Sequence, residues 1–423
     1  MSIVKKYFFI LVCLFYGANV WGQAARSPFT SLGIGEPYGN ALINTQGMAG
    51  IGVSQPQYWF LNNQNPALLV YNNMTVFQAG MLVESRTIRR DTASEKAVGG
   101  NMNYLVTAFP IKPNRWTTSL GLMPYTTVKY KLSYQDKVEN SSTNVQVTEQ
   151  GSGGLTQLYW SNGVRVAKGL SVGLKASYIF SSIVNTYNNQ LLDNTLPANY
   201  LAAIEEKSYV KDFAFSLGVS YSIDSLFRQK KYRLSFGAVY GFGADLNTQK
   251  TDKLLRTTVL GDTIESVILP SSTKGSIYIP PAITAGVSLS RGSKWTLGTE
   301  FSYQDWSSFK SVSEDDEGLG KSWRVAVGGE TTPDAISASF FKRITYRVGT
   351  SMEQYPFMAN NNVVKDLGIN FGFSLPAGQS SVDFAFKYGK RGNKADNILE
   401  EDYFKIYFGI TFNDRWFIKR KFD

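Results

Sequence analysis

From Met74 onward the chain alternates greasy and small or polar residues with a period of two. Tyr232, Leu234, Phe236, Ala238, Tyr240, Phe242, Ala244 and Leu246 fall on one face, with Arg233, Ser235, Gly237, Val239, Gly241, Gly243 and Asp245 on the other. Phe213 to Ile223 and Phe404 to Phe412 repeat the device. Period two places successive side chains on opposite faces of a strand. A soluble sandwich alternates as well. Strands longer than the roughly 10 residues needed to cross a bilayer, with glycines on the face opposite the greasy one, favour a membrane barrel. Segments between turn signals fall near 74–88, 98–111, 115–137, 144–166, 170–187, 206–224, 231–248, 276–291, 294–310, 320–331, 342–357, 363–376, 380–390 and 402–413. The expected fold is therefore all-β, a fourteen-stranded antiparallel transmembrane β-barrel, the even count that closure requires.

Turn lengths orient it. Tight links at Pro113-Asn114, Lys168-Gly169, 227–230, Gly292-Ser293 and Ala377-Gly378 alternate with long ones at 188–205, 251–275 and 392–401, so the short turns face the periplasm. The acidic run Glu314 to Glu317 lies in an exterior loop. It reads as a solvated face or as a cation bridge to acidic surface lipid, without the spaced pattern of a built metal site. Strand three departs from the alternation: Pro124 has no N–H for the ladder and Gly121 precedes it, which leaves a local gap and a bulge as equal readings.

The stretch from Ser31 to Leu69 has no strand or helix period. Gly33, Gly35, Gly39, Gly47, Gly50, Gly52 and the triplet Asn65-Pro66-Ala67 make it a turn-rich segment too short to bury its own core. It needs a host. Ahead of it, Lys5 and Lys6 precede an apolar run from Tyr7 to Tyr16 and small residues to Gly22, the order of a secretory signal peptide. The expected organisation is signal peptide 1–22, hatch 23–73, barrel 74–413 and basic tail 414–423, the tail either solvated or touching anionic headgroups.

Composition narrows the chemistry. The chain has no histidine, and its one cysteine, Cys13, lies in the leader. That removes histidine-based catalysis, imidazole metal ligands and disulfides from the mature chain. No catalytic residue, metal site or cofactor is expected, and the protein is not read as an enzyme. The net charge of +10 is spread rather than patched, so nucleic acid is not an expected partner. The 27 Phe, 24 Tyr and 8 Trp suit aromatic girdles at two membrane interfaces.

The order of glycines, Asn65-Pro66-Ala67 and a first strand resembles the N-terminal hatch of the FadL family of outer-membrane transporters for long-chain fatty acids and other hydrophobic compounds. MPYTTVKY at Met123 to Tyr130, IPPAITAGVSL with KWTLGTEFSYQDWSSF, and RVGTSMEQYPF resemble its later strands, and the ending from Asp402 is similar to a Bacteroidetes branch. The resemblance implies a plugged barrel in the outer membrane, with lipid and lipopolysaccharide around it. Hydrophobic ligand would diffuse in from outside and leave sideways at a kinked third strand. Asn65, Pro66 and Ala67 would be the hatch element facing the kink, and Gly121 and Pro124 the kink itself. No ligand pocket is nominated, because inward apolar candidates such as Ile179, Val239 and Trp306 are few. The alternative is a PorV-like barrel that docks a protein partner in a secretion or surface-attachment system.

Overall fold

A computed structural model describes residues 24–416 apart from 91–92, 139–142, 193–199, 227–231, 259–262, 270–272 and 313–317. The expected leader, the acidic run 314–317 and the basic end of the tail lie outside the described residues.

Fourteen antiparallel strands close into a barrel. They are β1 (Thr75–Arg89), β2 (Ser94–Lys112), β3 (Trp116–Pro124, then Thr126–Lys137), β4 (Asn144–Gly153, then Thr156–Ala167), β5 (Leu170–Leu191) and β6 (Tyr200–Asp224). Next come β7 (Tyr232–Gly241, then Ala244–Thr258), β8 (Thr273–Ile279, then Ala282–Arg291), β9 (Trp295–Asp305) and β10 (Lys321–Thr331). The circuit ends with β11 (Thr345–Ala359), β12 (Asn362–Ala377), β13 (Ser380–Gly392) and β14 (Glu400–Asp414), which pairs with β1 from Thr75↔Asp414 to Arg89↔Glu400. Closure joins the first strand to the last, so the sheet crosses lipid without terminal edges. Phe213, Phe215, Leu217, Tyr221, Phe236, Tyr240 and Phe404 are exposed on the outer face, where the alternation placed them. The chain forms a closed β-barrel with an apolar outer face.

Two features differ from the reading of the sequence. Stretches taken for long exterior loops are largely strand: β5 runs on to Leu191, β6 begins at Tyr200, and β7 pairs beyond the wall with an added strand, Thr263–Ile268. At ~3.3 Å per residue, β5 and β6 rise well above a bilayer. In addition, four strands are broken rather than one. Pro124 and the Pro280-Pro281 pair interrupt β3 and β8, while β4 and β7 break at Gly154-Leu155 and Phe242-Gly243.

Inside the wall, residues 24–73 form the hatch, built of short turns: a 3-10 turn Pro28–Ser31, a two-residue strand Glu36–Pro37, one helical turn Ile43–Gln46 and a 3-10 helix Pro66–Tyr71. Two apolar clusters hold it. The outer one joins Phe29 and Ile34 to Val128, Ile179, Ile183, Leu246, Trp306 and Phe357. The inner one joins Leu42, Ile43, Leu61 and Leu69 to Val76, Tyr104, Met123 and Tyr159.

Candidate functional site

The hatch lies on a belt of wall glycines. Gly163, Gly173 and Gly218 are register partners across β4, β5 and β6, Gly237 pairs with Gly286, and Gly298, Gly328 and Gly349 are partners across β9 to β11. Gly80 and Gly409 are partners where the barrel closes. A Cβ at Gly237 would stand 1.9 Å from the Val53 oxygen, and one at Gly349 would stand 2.6 Å from the Met48 carbonyl carbon. At Gly163, Gly173, Gly237, Gly328 and Gly349 a side chain would occupy the space of hatch backbone. The belt is what lets irregular chain approach a sheet.

Wall side chains satisfy the hatch backbone where it has no ladder of its own, as buried amides require. Glu300 accepts Gly52 N and Val53 N, each at 3.0 Å, and Gln78 Oε1 accepts Leu61 N at 2.9 Å. Asn370 Nδ2 donates to Gln46 O at 2.8 Å. Lys175, above the Tyr159 ring at 4.2 Å, donates to Asn40 Oδ1 and Asn63 Oδ1 at 3.1 and 3.3 Å.

Asn65, Pro66 and Ala67 sit on this belt. Asn65 Oδ1 accepts Ala67 N at 3.0 Å and caps the 3-10 helix, while Nδ2 donates to Val53 O at 2.7 Å and to Val219 O at 3.1 Å. Pro66 and Ala67 cover Gly163 and Gly173. The structure therefore does not bring the triplet against the kink. It faces β4 to β6, where the glycines leave room, and the kink is met by another part of the hatch.

That part is the leg, residues 24–40. β2 and β3 pair as far as Leu105↔Leu122, and beyond this point the outer half of β2 pairs only with β1. β3 breaks after Pro124, and its outer half pairs with β4 and, on the side facing β2, with Glu36↔Thr127 and Pro37↔Thr126 of the leg. Ser27 N adds a bond to Lys129 O at 2.8 Å. The wall thus has a seam, and Tyr38 bridges it: its N–H donates to Tyr125 O at 3.0 Å and its hydroxyl to Asn101 Oδ1 of β2 at 3.0 Å. Gly121 lies three residues below the break in regular pairing with Val106 and Tyr159. A Cβ there would meet the Tyr159 ring at 2.5 Å, so this glycine houses a cross-strand tyrosine.

Behind the seam the leg is tied by charge. Glu36 Oε1 and Oε2 accept Arg391 Nη2 and Nη1 at 2.7 and 3.0 Å, Arg86 Nη2 reaches Oε2 at 2.9 Å, and Lys405 Nζ is 3.6 Å away. Glu84, Glu401 and Asp366 balance these cations, and Ser27 Oγ donates to Glu401 at 2.5 Å. Burial pushes the Glu36 carboxyl up, but Arg391, Arg86 and Lys405 outweigh it and hold the group well below the usual carboxylate range. None of this network was found from the sequence. The only signal was a lone acidic residue among the hatch glycines.

The fold has solved relatives in shape. A Pseudomonas aeruginosa FadL homologue superposes with a TM-score of 0.57 at 13% identity over 89% of this chain and 98% of that one. The CymD monoaromatic hydrocarbon channel gives 0.55 at 15% over 92% and 99%, and the Pseudomonas putida toluene transporter TodX gives 0.53 at 16% over 90% and 98%. At these identities the likeness is one of fold. No curated protein sequence matches the chain. A family model described as BamG matches residues 3–423.

Proposed function

The chain belongs to the BamG family, and we propose that it passes small hydrophobic molecules across the outer membrane without a chemical step, releasing them sideways between β2 and β3. The observation that carries this is the seam, because beyond Pro124 its β3 edge pairs with the leg of the hatch and not with β2. The neighbours in fold described as a toluene transporter and a hydrocarbon channel support the same reading. Ile179 and Trp306 belong to an apolar outer cluster that suits such ligands, each buried methylene contributing about 0.8 kcal/mol. Phe29 and Ile34 of the leg occupy that cluster, so ligand and leg compete for one space. The reading takes residues 1–22 as an export leader and 23–73 as the gate.

Replacing Pro37 and Thr126, which are Cα partners, by cysteines tests it in a mature chain without other thiols. The oxidised pair should abolish uptake of a fluorescent fatty acid or toluene by proteoliposomes, reductant should restore it, and Tyr38→Ala should raise it severalfold. Uptake indifferent to all three states would sink the proposal.

One observation favours docking of a protein instead. Beyond Lys129 the edge of β3 facing β2 has no strand partner among the described residues, and an unpaired edge accepts an added strand. Native mass spectrometry after mild extraction separates the readings: a retained acyl or aromatic ligand supports transport, and a stoichiometric protein supports docking.

A further inference from the structure

At the short-turn end, away from leg and seam, a cavity of about 340 Å³ lies between the hatch loop and the mouths of several strands. Tyr58 and Phe60 of the hatch and Trp295 at the start of β9 form aromatic walls. Arg347 of β11 and Arg343, from the helical turn Phe340–Arg343 before it, bring two guanidinium groups.

Arg347 is 5% exposed and only partly satisfied. Its Nε donates to Glu330 Oε2 at 3.0 Å and its Nη1 to Ser374 Oγ at 2.6 Å, and the group lies 5.2 Å from the Phe60 ring centre. Its Nη2 has no partner among the described residues, nor does Nε of Arg343. The carboxylate at hand is already engaged, because Glu330 Oε1 also accepts Gln55 Nε2 at 2.7 Å. Arg343 forms no ion pair among the described residues. Buried donors of a charged group left unmade are costly, and planar guanidinium edges match oxyanions. Aromatic walls beside them suit an apolar body, and the volume lies in the range of small-ligand sites.

We propose that this vestibule binds an oxyanion, carboxylate or phosphate, carried on an apolar body, with Arg347 and Arg343 holding the anion and Tyr58, Phe60 and Trp295 flanking the body. The site does not depend on the transport reading, since it lies at the end opposite the seam.

The test is titration of the full barrel in a neutral maltoside detergent with dodecanoate, read by calorimetry and by tryptophan fluorescence. Saturable binding is expected, weakened about tenfold by Arg343→Gln, a change at a half-buried linker residue that leaves the wall intact. Arg347→Met should weaken it further, with retained barrel mobility on unheated gels as the check on folding. Competition by inorganic phosphate would assign the affinity mainly to the anion, and dodecanoate binding that phosphate does not displace would assign it to the amphiphile. Both support the site. No saturable binding, or binding equal in wild type and Arg343→Gln, would overturn it.

Discussion

Glu36→Gln should release the leg while the barrel stays closed. The substitution keeps size and removes the charge that Arg391, Arg86 and Lys405 share. Removing one partner from a buried ion network costs about 3–5 kcal/mol, because the remaining charges stay dry and uncompensated. Amide exchange over residues 24–40 should therefore quicken by at least about 10²-fold, while exchange in β5 and β6 stays unchanged. Equal protection of the leg in both proteins would show that the latch is not what holds it. The pH dependence has a definite sign. A carboxyl whose folded value is depressed contributes stability above its unfolded value, near 4.3, and loses it as pH falls through the folded one. Leg protection in the wild type should be flat from neutral to about pH 4 and fall only in stronger acid, whereas in Glu36→Gln that transition should be smaller, since Glu84 and Glu401 still hold Ala25 and Ser27.

Gly173→Val should unseat the hatch altogether. The new Cβ would stand 2.4 Å from the Pro66 carbonyl carbon and 2.5 Å from Ala67 N, both backbone, so no rotamer change relieves it. Overpacking of this kind costs about 1–3 kcal/mol or more, to which the two Asn65 Nδ2 bonds lost on displacement add. The outer face is untouched, so the barrel should still insert. In planar bilayers the wild type should be almost silent to ions, and the variant should pass large steady currents through its polar lumen. Gly241→Ala is the control, since its Cβ would meet nothing nearer than 3.8 Å. Silent variant channels would mean that the hatch is held by other means.

The wall was legible because lipid faces one side of every strand and must be apolar there, so Phe213 to Tyr221 announce a strand and its facing together. Breaks marked by proline could be anticipated at Pro124, whereas those at Gly154 and Gly243 read like any inward glycine. The stretch from Thr251 reads as a loop because its Thr, Lys and Asp interrupt the apolar alternation that marks the rest of the wall. The site was less legible. Glu36, Arg86, Arg391 and Glu401 meet across as many as 355 positions, and inward polar residues that grip a hatch look the same in sequence as those that line water. Asn65-Pro66-Ala67 lies against Gly163 and Gly173, and nothing in the triplet itself says which glycines of the wall stand opposite.

The glycine belt also bears on the order in which the molecule can assemble. Its members come from strands spread from Gly80 on β1 to Gly409 on β14, so no early portion of the wall offers a complete seat. Ser27 meets Glu401, and Asn413 holds the Trp59 carbonyl, so the segment nearest the beginning of the chain is fastened by strands near its end. Contacts of such separation form late. The hatch must wait, unfolded, until β14 closes on β1, and a refolding experiment should record barrel closure before protection of residues 24–73.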